Sequence, residues 1–321
     1  EIFRLGIRKL LPEQVELISG PGCPVCVTQV GFIDEAIYLA LERQVTICTF
    51  GDLVRVPGTN MSLAGAREKG AKIRIVYSPV DAKEYAKEHP KEQVTFLSVG
   101  FETTTPSACL SVKKAREEGL TNYSILTANK TMPQAYEALK GSADIFLYPG
   151  HVNAITGTKL CEELAKEGVS GVVAGFTAKE LLTALAVALA RFQEGRPFFV
   201  NCYPRVVTEN GSPQAQKLIE EMMEPCDSEW RGLGVIKGSG MRLQEEWSAF
   251  DARKKYKIPP IQGKANPACR CGDVLQGKCK PSDCKVFGKV CTPQHPVGAC
   301  MVSGEGACSA YYMYGEAEKM K

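Results

Sequence analysis

Residues 269–312 have the sequence CRCGDVLQGKCKPSDCKVFGKVCTPQHPVGACMVSGEGACSAYY, and this stretch decides how the chain is organised. Glycine and proline fill the gaps between its cysteines, and it offers few large apolar residues for a core. A segment of this composition cannot bury enough apolar surface to hold a fold by itself. It contains half of the fourteen cysteines of the chain, namely Cys269, Cys271, Cys279, Cys284, Cys291, Cys300 and Cys308. The sequence therefore predicts that disulfides, zinc or an iron–sulfur cluster hold this segment together.

The composition of the whole chain is typical of a folded globular protein. Its 321 residues are enough for two or three domains, with 44% hydrophobic and 23% charged residues. Basic and acidic residues are interleaved and sum to +3, which predicts no nucleic-acid partner. The longest apolar stretch, Leu181–Ala190, is too short to span a bilayer and predicts no membrane role.

The opening residues, EIFRLGIRKLLPEQ, resemble a helix from the middle of a domain, so we expect the native beginning to be missing. No secretory leader is visible, which predicts a cytoplasmic, reducing location. In such a compartment thiols more often bind metals or do redox chemistry than form structural bridges. Five cysteines in mostly apolar surroundings are predicted to be ordinary core or surface residues: Cys48, Cys109, Cys161, Cys202 and Cys226.

Short apolar runs alternate with helical patterns from residue 15 to about residue 225. Such alternation is typical of parallel sheets that helices cover on both faces. The predicted strands are Val15–Ser19, Val45–Phe50, Ile73–Tyr77, Val94–Val99, Tyr123–Thr127, Asp144–Tyr148, Gly171–Phe176 and Phe198–Tyr203. The predicted helices are Gln29–Arg43, Met61–Lys69, Asp81–Glu88, Ser107–Glu118, Pro133–Lys140, Thr158–Glu167, Ala178–Gln193 and Pro213–Glu224.

The predicted fold class is α/β, with two similar parallel-sheet domains and a C-terminal cysteine-rich iron–sulfur module. The first four strands fall in residues 15–121 and the other four in residues 122–225. The module takes residues 226–321, with residues 1–14 packing near it. Open α/β sheets place their sites at the carboxyl ends of strands, and glycine-bearing turns follow several of the predicted strands.

One of these turns, GPGCPVC, places Cys23 and Cys26 between a predicted strand and a predicted helix. Amide groups at a helix start favour a thiolate at Cys23, and the two thiols are close enough to form a disulfide or share one soft metal ion. The alternative is half of a structural zinc site, but no second CxxC completes one. The motif predicts redox or metal chemistry.

Two further strand ends carry candidate site residues. Glu102 lies in GFETTTP, where the threonines and proline are also ordinary helix-start chemistry, so proton transfer is one of two interpretations. His151, one of three histidines, follows Tyr148-Pro149-Gly150, and it either joins the site or bridges a loop.

Four cysteines of the module have the spacing Cys269-x14-Cys284-x6-Cys291-x16-Cys308. Four thiolates from such loops suit a 4Fe–4S cluster. Zinc with four cysteine ligands folds small modules equally well, although zinc ribbons usually pair CxxC with CxxC. Cys271, Cys279 and Cys300 leave the choice of ligands open at this point.

Taken together, the motifs GPGCPVC, VGFETTTP, YPGHVNAI and CxCG…GACMVSGEGAC resemble the HypD family of nickel–iron hydrogenase maturation proteins, in the same order and over essentially the whole chain. The resemblance implies a 4Fe–4S cluster held by four cysteines: Cys269, Cys284, Cys291 and Cys308. It also implies a redox-active pair, Cys23 and Cys26, near that cluster, and iron as the metal that the protein handles.

In that family the protein is a scaffold, so the resemblance implies three partners. A small HypC-type chaperone would share the iron, a HypE-type protein would donate cyanide, and the finished Fe(CN)2CO group would pass to the hydrogenase large subunit. The thiolate pair Cys23–Cys26 would hold the iron, while Glu102 and His151 position cyanide or move protons. A family motif resembling EVCGTH is absent before IFRLGIRKLLP, so we expect one iron ligand to be missing here.

Two other functions fit the same residues. A cluster-dependent thiol–disulfide reductase would use the same cysteines on a protein or small thiol. A small-molecule binding protein with a zinc-stabilised tail would use the strand-end turns and the module alone.

Overall fold

The computed structural model describes residues 1–315 and confirms the α/β class. Its strands form two parallel sheets and one antiparallel hairpin. The strands are β1 Thr46–Thr49, β2 Ile73–Ile75, β3 Val94–Ser98, β4 Tyr123–Thr127, β5 Ile145–Pro149, β6 Ser170–Ala174, β7 Phe199–Asn201, β8 Met223–Trp230 and β9 Gly234–Leu243.

Helices connect and cover these strands. The α-helices are α1 Pro24–Val27, α2 Val30–Glu42, α3 Leu63–Glu68, α4 Pro79–Glu88, α5 Thr105–Glu117, α6 Met132–Ala138, α7 Gly150–Thr156, α8 Lys159–Lys166, α9 Ala178–Phe192, α10 Pro213–Met222, α11 Ala252–Lys255, α12 Cys271–Leu275 and α13 Ala307–Tyr314. Short 3-10 helices lie at Ile7–Leu10, Gly51–Arg55, Glu245–Phe250, Pro281–Asp283 and Ala299–Met301. No helix among residues 1–315 combines the length and apolarity that a membrane crossing needs.

The first sheet has the strand order β2-β1-β3-β4, with all pairs parallel. Every residue of β1, β3 and β4 is buried, which explains why their sequences are continuous apolar and small-polar runs. The predicted grouping placed Tyr123–Thr127 with the later strands, but β4 pairs with β3 along its whole length. Apolar patterning locates a strand without encoding its neighbour, so the grouping was wrong.

The second sheet has only three strands, in the order β5-β6-β7. The predicted strand Val15–Ser19 is not formed, since residues 15–20 have no regular structure. Leu17 packs at the edge of the cluster beneath α9, while Ile18 is 40% exposed. A short apolar run therefore marked a segment that lies along the surface, a case that patterning alone does not distinguish from a strand.

An antiparallel hairpin, β8–β9, follows the second sheet, and the sequence analysis did not predict it. Lys130, next to β4, ties the hairpin to the first sheet: its buried ammonium donates to Ser228 Oγ and to the Glu229 carbonyl, each at 2.7 Å. Burial lowers the pKa of Lys130 to about 7. The buried Lys130 side chain thus anchors the hairpin to the first sheet.

Trp230 ends β8 and connects the hairpin to the CxxC segment. Its fully buried indole donates to Ser239 Oγ at 2.7 Å and stacks on Phe101 at 5.9 Å between ring centroids. Its backbone forms an isolated antiparallel bridge with Thr28, just after α1. One large core cluster therefore contains Cys23, Cys26, Trp230 and cysteines of the C-terminal module.

Gly171 of β6 lies under the Tyr148 ring of β5, and a Cβ there would overlap that ring. We expect Gly171→Ala to lower the free energy of unfolding by about 1–3 kcal/mol, because overpacking displaces a buried aromatic ring. Guanidinium denaturation measures the change. Gly65→Ala in α3 is the control, where the added Cβ meets only Met61 Cβ at 3.4 Å, and helix propensity favours a small stabilisation. Equal effects of the two substitutions would contradict this account.

Candidate functional site

The CxxC lies at the start of α1, with Cys23 as its N-cap and Pro24 as its first residue. The segment before it is extended coil instead of the predicted strand. Both thiols are buried, and the Cys26 backbone N–H donates to Cys23 Sγ at 3.4 Å. The pair therefore lies in the core of the molecule, where neighbouring protein groups and not water determine the pKa values of the two thiols.

Hydrogen bonding between the two thiols decides which sulfur carries the negative charge. The Cys26 thiol donates to Cys23 and lowers the pKa of Cys23, although burial acts in the opposite direction. The same bond raises the pKa of Cys26 well above its usual value. The Ser303 hydroxyl also lowers the pKa of Cys23 by donating to its sulfur. Cys23 therefore has the lower pKa of the pair, and a thiol donor is the main cause.

A row of sulfurs continues from the CxxC into the C-terminal module. Cys26 and Cys300 are close enough for each to shift the pKa of the other, and Cys300 interacts in the same way with Cys271 and Cys308. Cys271 contacts Cys269 in turn, with 3.2 Å between their sulfur atoms. Cys271 and Cys300, which sequence analysis left without a role, therefore connect the two groups of cysteines.

The glycines that precede these cysteines explain the close approach. A Cβ on Gly298 would overlap the sulfurs of Cys269 and Cys271, and one on Gly306 would overlap the backbone of Cys300. The sequence holds a signal for this arrangement, the Gly-Ala-Cys tripeptide that occurs twice in GACMVSGEGAC. In each repeat the glycine, which has no side chain, leaves the room that lets two cysteine residues pack closely together.

The four cysteines predicted as cluster ligands all line one cavity. Its wall consists of Cys269, Arg270, Cys271, Val274, Cys284, Val286, Phe287, Cys291, Met301 and Cys308. Most of this lining is sulfur or apolar, which suits a soft, thiolate-bound group. The cavity volume is ≈ 10 Å³, about the space of one water molecule. Among residues 1–315 no three Cys, His, Asp or Glu side chains already have the spacing of a metal site.

The donor set therefore fits an iron–sulfur cluster or zinc by its chemistry, and the side chains would turn to hold it. Cys291 Sγ accepts from the Val297 N–H at 3.3 Å, and Cys284 Sγ lies 3.7 Å from the Ala268 carbonyl oxygen. Hydrogen bonds of this kind are weak beside the bonds that thiolates form with iron or zinc. Cys279 is absent from this cavity and lines another one beside Ile18 and Tyr311.

Glu102 lies just past the end of β3 and is only 5% exposed. Its Oε1 accepts from the Met132 N–H at 2.8 Å, while Oε2 is buried without a hydrogen-bond partner among the described residues. Burial raises the pKa of Glu102 to about 7. Its neighbour Phe101 and Met132 belong to the cluster that contains Cys23 and Cys26. The carboxyl therefore borders the CxxC core as a group able to exchange a proton near neutral pH.

Two tyrosines that the sequence analysis did not single out extend this polar region. The hydroxyls of Tyr136 and Tyr148 are buried without partners among the described residues, and their rings pack edge to face at 4.8 Å. Burial raises the pKa of Tyr136 well above its usual value, and the charge of Glu102 adds to the shift. Residue type alone does not mark these tyrosines, because most tyrosines in such strands and helices are ordinary core residues.

His151 lies in the first turn of α7, where its exposed ring packs 5.0 Å from the ring of Phe176. The next residue, Val152, is buried in the cluster that contains the CxxC. The structure therefore brings Cys23, Cys26 and the module cysteines into one core, with Glu102 at its border. It leaves the His151 side chain at the surface.

Comparisons with known proteins give a consistent result over the full chain. A family model described as HypD: Hydrogenase formation hypA family matches residues 1–315. The hydrogenase maturation factor HypD of Cupriavidus necator is 41% identical over 327 residues, covering 98% of this chain and 86% of that protein. Proteins of the same name are 43% identical in Rhizobium leguminosarum bv. viciae (98% and 85% covered) and 42% identical in Escherichia coli K12 (99% and 87%).

The raised pKa of Glu102 predicts a pH-dependent stability. Between pH 4.5, its ordinary pKa, and about pH 7, the folded protein keeps a proton that the unfolded chain releases. The contribution of Glu102 to the free energy of unfolding should therefore fall by about 3 kcal/mol as pH rises through this window, and this contribution levels off above it.

Glu102→Gln should remove this slope, because glutamine does not titrate. Urea denaturation at several pH values measures it, and Glu163→Gln on the exposed face of α8 is the control that should keep the wild-type profile. A Glu102→Gln profile parallel to wild type would show that the buried carboxyl is not the source.

Proposed function

The chain belongs to the HypD family of hydrogenase maturation factors, and we propose that it is the redox scaffold on which the Fe(CN)2CO group of nickel–iron hydrogenase is assembled. One observation carries the proposal: six cysteines interact pairwise from Cys23 and Cys26 to the cavity of the module. The remaining members are Cys300, Cys271, Cys269 and Cys308.

Within this proposal, Cys269, Cys284, Cys291 and Cys308 hold a 4Fe–4S cluster. Support comes from their shared cavity, its sulfur and apolar lining, and the absence of any second CxxC that would favour a zinc ribbon. The cluster, when bound, supplies single electrons. Cys271 lines the same cavity and contacts both Cys269 and Cys300, so it belongs to the link with the CxxC.

The CxxC opens and closes as a disulfide. Opening takes two electrons and one proton: the S–S bond breaks, Cys23 becomes a thiolate, and the proton resides on Cys26. The hydrogen bond between the two thiols supports this outcome, because it lowers the pKa of Cys23 and raises that of Cys26. Opening therefore produces one soft anionic ligand and one thiol at a buried site, ready for a metal ion.

Iron is the substrate of this site, and the partners follow from the family. A HypC-type chaperone brings or shares the iron, a HypE-type protein donates cyanide, and the hydrogenase large subunit receives the product, all in the cytoplasm. Glu102 takes the part of the proton donor, because its buried carboxyl has a pKa of about 7 at the border of the CxxC core. His151 has the exposed position that a group meeting an incoming partner needs.

A cluster-dependent thiol–disulfide reductase is the second candidate. The additional pair Cys271 and Cys300 favours it, since thiols between a cofactor and a CxxC suit repeated thiol exchange. Turnover of a small disulfide by the isolated protein, without hydrogenase partners, separates the two functions. Sustained turnover supports the reductase and its absence supports the scaffold.

Cys23→Ala and Cys26→Ala should each abolish hydrogenase maturation in a cell that depends on this protein. Both should leave the visible absorbance of the cluster intact, because neither residue lines the four-cysteine cavity. Hydrogenase activity and the absorbance spectrum are the measurements. Maturation that survives either substitution would exclude an essential thiol pair.

Cys284→Ser should lower the iron and acid-labile sulfide bound per protein after anaerobic purification, since serine replaces a cavity thiolate. Cys279→Ser is the matched control, because Cys279 lies in the same module but outside this cavity, and its metal content should equal that of wild type. Zinc without iron or sulfide in the wild-type protein would instead support a zinc-stabilised module and end the cluster proposal.

A further inference from the structure

Arg231 is a buried cation between the CxxC and the cysteine-rich module, and neither motif nor spacing singled it out. It follows the last residue of β8 and is 8% exposed. Its backbone N–H donates to the Val27 carbonyl at 2.9 Å, and Nε donates to the Thr28 carbonyl at 2.7 Å. A second guanidinium nitrogen donates to the Pro57 carbonyl at 3.3 Å. These bonds fix Arg231 to the end of α1, next to Cys26.

A backbone contact fixes the other side of Arg231 to the module. Gly232 and Gly272 approach so closely that a Cβ on either would overlap the backbone of the other. The Gln276 amide donates to the Gly232 carbonyl at 2.8 Å. Because Gly272 follows Cys271 in the chain, this contact brings the backbone next to Arg231 against the start of α12.

No carboxylate balances the charge of Arg231 among the described residues. Among residues 1–315 it makes no ion pair with Asp or Glu, and its hydrogen-bond acceptors are neutral carbonyls. Burial lowers the pKa of Arg231, and four thiols oppose that effect. The four are Cys271, Cys269, Cys300 and Cys26. A buried, unpaired guanidinium is costly, so a core that keeps one gains from negative charge nearby.

We propose that Arg231 is a positioning residue whose fixed positive charge favours the reduced state of the four-cysteine cofactor. The inference rests on the proposed 4Fe–4S cluster. Reduction adds one electron from an external one-electron reductant, forms and breaks no bond, and moves no proton. The added negative charge and the guanidinium attract each other strongly, because the medium around them has a low dielectric constant. Arg231 therefore raises the reduction potential of the cofactor, so that it accepts an electron more readily.

The test is a dithionite titration of the anaerobic holoprotein, followed by electron paramagnetic resonance. Arg231→Met removes the charge and keeps much of the side-chain length, so its cluster should be harder to reduce, by about tenfold in the reduction equilibrium, or about 59 mV. Arg231→Lys keeps the charge and should stay near the wild-type potential.

Arg55→Met is the matched control. Arg55 also donates to two module carbonyls, those of Pro293 at 2.7 Å and Val302 at 3.3 Å, but its side chain is exposed. Loss of these bonds should leave the potential unchanged. A potential in Arg231→Met equal to wild type, or a shift of the same size in Arg55→Met, overturns the inference.

Cofactor content distinguishes this failure from failure of the proposed function. If the wild-type protein contains no iron and no sulfide, it holds no cluster, and the inference fails together with the proposed function. A loaded wild type with an unchanged Arg231→Met potential removes the inference alone. If Arg231→Met does not retain the cofactor, Arg231→Gln is titrated with dithionite in its place. Loss from both neutral variants but not from Arg231→Lys supports the role of charge, and loss from all three contradicts it.

Discussion

The contact between Cys26 and Cys300 is the interaction on which the rest of the site depends. It joins a thiol near the beginning of the chain to one near its end, and through it the CxxC and the module cysteines shift one another's pKa. Without it the molecule would contain two separate groups of sulfurs. Neither thiol is exposed, so the surrounding packing must hold both sulfurs in place.

Burial governs the chemistry of this core more than charge pairing does. Glu102 and Lys130 both have pKa values near 7 because desolvation penalises their charged forms. Among the thiols, by contrast, S–H donors are the main cause of the shifts, and they lower the pKa of Cys23 and of Cys271. A low-dielectric core with few fixed charges makes each remaining charge, such as that of Arg231, more influential.

Much of the fold was accessible from the chain because parallel strands buried on both faces have a local signature. Strand β4 was predicted with its observed ends, and most other strands were predicted within two residues. Strand order was not accessible, so β4 was grouped with the wrong sheet. The hairpin β8–β9 was missed because half-buried residues such as Cys226 and Ser228 alternate with exposed ones and give no continuous apolar run. The segment at Val15–Ser19 had the composition of a strand but no strand partner.

The sequence by itself determined the α/β class, the candidate cysteines and the resemblance to a family, because these depend on local composition, spacing and motif order. Only the tertiary structure decided which sulfurs touch, since Cys271 and Cys300 acquire their places through contacts between distant segments. The close approach of Gly232 and Gly272, and the bonds from Arg231 to Val27 and Thr28, create those contacts. A contact between distant residues depends on the folded path of the whole chain. The repeated Gly-Ala-Cys marks closely packed cysteines, but it does not specify which distant segment they meet.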